Sequence, residues 1–465
     1  MTELIEIRTA ARRLRAAFTG DVHEPGDPAY DALRLPWNRR IDPRPAVVAA
    51  AAGPLDVRDA VRTARELDLP FAVQSTGHGT YLPSDGGVLL HTGRMAAVEV
   101  DPRHRSVRVG PGAVWSDVIA AAAPYGLAPL SGTPSVGVAG YTLGGGTGWL
   151  SRRHGYAADS LLRAELVTAD GELRMVSDDE YPELHWAVRG GGGNFGVVTS
   201  LELRLFEVGP VTAGMILYDA RRAPALLTRY GEWAAGEPDA LNTSVILMRM
   251  PDLPMVPQPA RGRSVVALRV FCDGTEAVAR AALAPLLAVA GRPLVDGLAE
   301  LTFAEAAPRF GGPPHPPAAV WQHLDLVREI TPELVRVLTA ALDDPATSAL
   351  TALELRHWGG AMSRTDADDG PVGHRDVPFS VIATAMASSE QEREPAAASV
   401  ATAAARLWPF ATGGTFLNFL GDPARTASAY TTDDYAALRA LKRVWDPDNV
   451  FRLNHNIPPA SPGES

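Results

Sequence analysis

Hydrophobic and polar positions along the chain change period repeatedly, and they predict a helical start, a glycine-punctuated first part and a strand-rich second part. Residues 9–18 read as a helix, and a polar connection through Trp37 and Asn38 leads to a strand over 47–52. Across 55–68, Val57, Val61, Ala64 and Leu67 recur at helical spacing, with Arg58, Asp59, Arg62 and Glu66 on the other face. Apolar runs at 71–73 and 88–90 predict two strands around a small-residue loop and an Asp85-Gly86-Gly87 turn. Strands are expected at 97–100 and 106–109, a helix over 114–123, a strand-like run at 186–188 and a strand over 197–205. After residue 206, strand segments (215–218, 244–250, 264–271, 350–355, 379–386) alternate with Ala/Leu-rich helices near 222–235, 276–290, 332–343 and 391–406. The pattern predicts an α+β fold divided at 1–205, 206–410 and 411–465. Pro/Gly-rich loops interrupt it at 251–262 and 308–318, and RFGGPPHPP at 309–317 reads either as a connection or as a lid over a pocket.

Composition narrows the partners. The chain has 465 residues, too many for one ordinary core. Its formal net charge of −11 gives no bulk drive towards nucleic acid or an anionic membrane. No apolar run is long enough to span a bilayer and residues 1–18 lack a continuous apolar stretch, so a cytoplasmic location is expected. Cys272 is the only cysteine, which excludes an intrachain disulfide and cysteine-based zinc or iron–sulfur sites; no metal is expected. Lys442 is the only lysine and sits in a charged segment, a poor Schiff-base candidate.

Chemistry concentrates in three glycine clusters, each beside a strand. The first is Ser75-Thr76-Gly77-His78-Gly79-Thr80. Its backbone N–H groups can form an anion nest, with His78 facing a cofactor; taken alone, the loop reads equally as a tight turn whose histidine caps a carbonyl. The second, residues 129–155, holds eight glycines, a composition that neither helix nor strand favours. The third is Gly190 to Gly196. Three such loops are best explained as walls of one extended ligand site. Gly144-Gly145-Gly146-Thr147-Gly148 fails as a dinucleotide fingerprint, because no strand feeds it and no helix with a following acidic residue opens from it.

Four motifs, STGHG at 75–79, SGTPSVGVAGYTLGGGTGWLSRRHG at 131–155, WAVRGGGGNFGVVTSLEL at 186–203 and DPDNVFRLNHNIP at 446–458, resemble the berberine-bridge-enzyme-like FAD-linked oxidases of the vanillyl-alcohol-oxidase/PCMH superfamily. The likeness runs from about Trp37 to Pro459. It implies a two-domain PCMH-type flavoprotein whose FAD domain packs against a substrate domain of antiparallel sheet and covering helices. It implies a covalent bond from His78 to FAD, and single attachment, because Thr133 stands where other members carry a second, cysteine tether. The backbone of Ser75, Thr76, Gly77, His78, Gly79 and Thr80 would cradle the pyrophosphate. Thr133, Val136, Gly137, Gly140, Tyr141 and Gly144 would line the flavin, with Val136 at the position that gates O2. Gly193, Gly196 and Val198 would hold the adenine half, and Asn454 and Asn456 would return to the flavin.

The implied reaction takes a hydride from a C–H or CH–OH carbon of a small molecule, with O2 as acceptor; secondary metabolites are frequent substrates of bacterial members. One departure matters: where many members place a tyrosine base, this chain has Phe419. That leaves Glu354 as candidate base with Arg356 as anion stabiliser on the same strand face, Tyr81 as a weaker alternative, and Tyr141 as a hydrogen-bond donor to the flavin. A surface ion pair is the plainer reading of Glu354 and Arg356. An oxygenating or dehydrogenase activity of the same fold, and a non-catalytic flavin-binding protein, are the rival functions.

Overall fold

The structure, a computed structural model, describes residues 2–311, 316–364 and 369–463. Part of the 309–317 loop expected as a connection or lid lies outside the described residues.

Three sheets organise the chain. A four-stranded sheet has the order Asp21–His23, Val47–Ala50, Val88–His91, Phe71–Gln74; its first pair is antiparallel and the other two are parallel. Pro54–Glu66 crosses between the parallel strands and buries Val57, Ala60, Val61 and Ala64 against it, the stripe that the period of 3.6 predicts. Beside it lies an antiparallel five-stranded sheet ordered Val98–Asp101, Ser106–Val109, Val197–Arg204, Leu161–Val167, Leu173–Ser177.

The third sheet has eight strands, all antiparallel, built from residues between Val211 and Ala387. Its central order is Val211–Asp219, Ser264–Cys272, Leu241–Arg249, Ala352–His357, Phe379–Ala387, Ala319–Val327. One face carries Val245, Leu247, Val266, Leu268, Leu353, Leu355, Val381 and Ala383, buried under helices that include Ala223–Ala234, Glu276–Ala290 and Glu390–Leu407. Alternation therefore turns Asn242, Ser244, Arg269, Glu354 and Arg356 to the opposite face.

The strand-like run at 186–188 is a helix instead, Pro182–Val188. Pro182 starts it, and Leu184, Ala187 and Val188 are buried at helical spacing. A three-residue apolar run carries no period of its own, so it could not reveal this. The glycine-rich 129–155 segment also departs from expectation by containing the short helix Val138–Leu143. Gly140 sits inside it, where a Cβ would meet no atom within 4 Å.

Candidate active site

A cavity of about 460 Å³ runs between the three glycine loops and the polar face of the eight-stranded sheet. The His78 loop springs from the C-terminal end of the edge strand Phe71–Gln74, the end of a parallel strand where ligands bind in open sheets. Gly77 has φ +68°, and a Cβ on it would stand 2.5 Å from Pro36 Cα, so glycine is required here twice over. Trp37 N and Asn38 N donate to the Thr76 and Gly77 carbonyls at 3.1 and 3.3 Å. The Trp37 ring stacks on His78 with centroids 4.5 Å apart. Burial pushes the His78 imidazole down to about 4, so it is neutral at physiological pH. Among the described residues the ring has no hydrogen-bond partner, which removes the reading of His78 as a carbonyl cap.

The second loop is shaped around Tyr141. A Cβ on Gly146, whose φ is +71°, would lie 2.4 Å from the Tyr141 ring, and one on Gly148 would lie 3.0 Å from its hydroxyl. Trp115 packs edge-on against the same ring at 5.3 Å. The Tyr141 hydroxyl is buried without a partner, and burial pushes the phenol far above its ordinary range against a weaker pull from Arg356. Asn418 fastens this loop: its Oδ1 accepts from Gly146 N at 2.8 Å and its Nδ2 donates to the Tyr141 carbonyl at 3.1 Å.

The C-terminal segment closes the cavity beside the first loop. Asn454 Oδ1 accepts from Tyr81 N at 2.7 Å and its Nδ2 donates to the Gly79 carbonyl at 2.8 Å. Asn194 Nδ2 donates to the His455 carbonyl at 2.9 Å while its Oδ1 accepts from Ile457 N at 2.8 Å, which ties the third loop to the same segment. Behind them the buried Lys442 pairs with Asp446 at 2.7 Å and donates to the Asn194 and Phe451 carbonyls. His455 Nε2 lies 2.8 Å from the Leu420 carbonyl and must carry the proton there, so Nδ1 holds the lone pair. Burial keeps this ring neutral, and raises the adjacent Tyr81 phenol to about 12.

Of the residues expected at the site, Ser75, Thr76, Gly77, His78, Gly79, Thr80, Tyr81, Thr133, Val136, Gly137, Gly140, Tyr141, Gly144, Gly193, Gly196, Val198, Arg356 and Asn454 all line this one cavity. Asn456 does not; its side chain lies off the wall. Glu354 is also off the wall, which corrects its assignment as a base. Burial alone would raise its carboxyl, but Arg269 and Arg356 outweigh that and hold it at about 2. A carboxylate so placed is a counter-ion, and it gains no proton at neutral pH. Tyr81 fails as a base for the opposite reason, since burial keeps its phenol protonated, and the protonated Tyr141 phenol suits the donor role expected of it.

Sequence reasoning missed Arg269, Asn242, Gln322 and His455, which also line the cavity. The first three come from sheet strands outside any motif, so only their polar character at alternate strand positions could have marked them. His455 stands inside the quoted C-terminal motif, between the two asparagines that were singled out.

The residues present fit FAD. Ser75 Oγ and Tyr141 OH are buried at the wall without partners, and a Cβ on Gly79, Gly140 or Gly193 would enter open space, as expected of backbone that a bound group must approach closely. Comparison with known proteins agrees. The FAD binding domain family matches residues 45–177, and the berberine and berberine-like family matches residues 415–458. The chain is 32% identical over 464 residues to (R)-6-hydroxynicotine oxidase of Paenarthrobacter nicotinovorans, covering 95% of this chain and 97% of that protein. The crystal structure of 6-hydroxy-D-nicotine oxidase from Arthrobacter nicotinovorans superposes with a TM-score of 0.85 at 29% identity, over 96% of this chain and 99% of that one. A berberine bridge enzyme variant shares the fold, with a TM-score of 0.84 at 19% identity over 98% of this chain and 100% of that one.

Proposed function

The chain belongs to the berberine-bridge-enzyme-like FAD-linked oxidases, and on that premise we propose that it oxidises a small organic molecule on an FAD tethered through His78 alone, with O2 as the electron acceptor. Bound FAD supplies the hydride acceptor of the reaction. The backbone of residues 75–79 holds the pyrophosphate, and the loop containing Gly193, Gly196 and Val198 holds the adenine half. Ser75 Oγ and the Tyr141 hydroxyl donate hydrogen bonds to the cofactor, being buried polar groups that nothing among the described residues satisfies. Val136 presents a small apolar side chain at the flavin wall, where it leaves room for O2.

The observation that carries the tether is the state of His78: a half-buried, neutral imidazole, without a hydrogen bond among the described residues and lining the cavity from between two glycines. A second tether has no candidate, because the thiol of Cys272 is fully buried in the eight-stranded sheet and raised by burial to about 11. When the substrate loses a hydride from a CH–OH carbon, its hydroxyl proton needs an acceptor. With Glu354 held as a counter-ion and both phenols protonated, His455, a cavity-lining residue whose Nδ1 carries the lone pair, is the candidate acceptor.

The test is direct. The purified protein is precipitated with acid, washed and run on a denaturing gel beside His78→Ala. Flavin fluorescence in the wild-type band and none in the variant is the expected result. A dark wild-type band with yellow supernatant would refute the tether and leave FAD binding intact.

A further inference from the structure

The wall of the cavity facing away from the glycine loops is made by side chains of the eight-stranded sheet. Register sets Arg269 opposite Ser244 and Ser244 opposite Arg356, so these three residues form one row across adjacent strands. Glu354 lies two residues along from Arg356 and shares its face. A single carboxylate oxygen, Glu354 Oε1, accepts from Arg269 Nη2 and, at 3.0 Å, from Arg356 Nε. Arg269 Nε donates to Ser244 Oγ at 3.1 Å. Both guanidiniums are thereby fixed in place, with side chains only 11% and 15% exposed for Arg269 and Arg356.

Donors are left over. Neither terminal nitrogen of Arg356, nor Nη1 of Arg269, has a partner among the described residues. Two guanidiniums against one carboxylate leave a positive charge, and among the described residues no aspartate or glutamate lines the cavity to offset it. Aromatic rings flank the pair: the Arg269 guanidinium carbon lies 5.1 Å from the centre of the Trp149 ring, and that of Arg356 lies 5.7 Å from the centre of Phe419. These free N–H groups open onto the cavity, and a planar oxyanion matches their fork.

We propose that the substrate is an organic acid whose planar oxyanion, a carboxylate or an equivalent delocalised oxygen anion, docks on Arg356 and Arg269 and presents its apolar body to Trp149 and Phe419. The role of Phe419 follows from this: a tyrosine at that position would place a second polar group beside the anion, whereas phenylalanine keeps the surroundings apolar and strengthens the pairing. This reading shares the cavity with the proposed FAD site and rests on it only for the statement that the acid is the molecule oxidised.

The experiment separates the two. Flavin content per chain and flavin midpoint potential are measured first for the wild type, Arg356→Met, Arg269→Met and Arg356→Lys. Equilibrium dialysis, which needs no flavin signal, then gives the affinity of each for benzoate, phenylacetate and 1-naphthoate and for the matching amides. At least one carboxylate is expected to bind the wild type tenfold or more tighter than its amide. That preference falls at least tenfold in each methionine variant, survives in part in Arg356→Lys, and leaves amide binding unchanged. Carboxylates bound no tighter than their amides overturn the proposal, a result that depends on no variant. A preference that persists in both methionine variants overturns it too. So does a shift in flavin content or potential with the preference intact, which would assign the arginines to the cofactor. Carboxylate preference in a protein that holds no flavin would leave the anion site standing and defeat only the FAD reading.

Discussion

The two walls of the cavity are built on opposite principles. On one side, glycine loops present backbone and neutral groups, and the residues that matter are those whose side chains are missing or small. On the other, the sheet presents long charged side chains on a rigid backbone, flanked by Trp149 and Phe419 from neighbouring loops. A cofactor common to many enzymes can be held by main-chain geometry, which tolerates no side chain at a few positions. A substrate particular to one enzyme is met by side chains, which can be exchanged while the strands stay where they are. The chain therefore presents main-chain geometry on one wall and exchangeable side chains on the other, across a single cavity.

Changes to the two walls should fail in different ways. The largest effect is expected from Gly77→Ala. The substitution forces an L side chain into φ +68° and drives a Cβ into Pro36, at a cost of about 2–4 kcal/mol. Flavin per chain should fall with the melting temperature, both read on the same purified sample. A fully flavinylated variant of wild-type stability would break the claim that the backbone is what holds the cofactor.

A smaller effect is expected from Glu354→Gln on the opposite wall. Removing the shared counter-ion leaves two neighbouring guanidiniums, and because the site is partly wet the loss should be about 2 kcal/mol. Flavin content should stay the same and benzoate should bind severalfold tighter. If Glu354 were a base instead, the variant would abolish flavin reduction by a donor while leaving benzoate affinity unchanged.

The smallest effect lies away from the cavity, where His154 stacks on Phe206 with centroids 4.1 Å apart. Burial, helped by Arg153, pushes His154 from 6.5 down to about 4. The folded chain therefore binds fewer protons than the unfolded one between those values. Its contribution to stability is present above pH 6.5 and is lost as the pH falls towards 4. His154→Phe should flatten the acid side of a melting-temperature profile and leave it unchanged above pH 7; an unchanged acid limb would show that the imidazole is not held neutral.

The same division explains what the sequence reveals. Gly77, Gly146 and Asn454 are legible because a backbone nest, a slot for Tyr141 and a loop clasp each need one residue type at one place. The α+β class is legible for a similar reason, since the period of the apolar pattern switches where the sheets do. The helix Pro182–Val188 was misread because its apolar run is too short to show a period. The strand Ala319–Val327 escaped notice because most of its first half is only partly buried and reads as mixed polar and apolar. Arg269 was invisible for a deeper reason: it is brought into line with Arg356 by the pairing of both with Ser244 on an intervening strand, and cross-strand register is a tertiary property. Glu354 was found on the correct face, but its charge partner lay 85 positions away, so the sequence offered a base where the fold makes a counter-ion.

The single lysine of this chain also makes it a timer. Lys442 is fully buried, and its ammonium grips the carbonyls of Asn194 and Phe451 as well as Asp446. A protease that cuts only after lysine finds one bond in the described chain, inside the helix Thr432–Trp445, and can reach it only when that helix opens and Lys442 releases its partners. The rate of that one cleavage therefore reports opening of this helix, locally or with the whole chain. Any ligand that bridges loop and segment slows it in proportion to how firmly it is held.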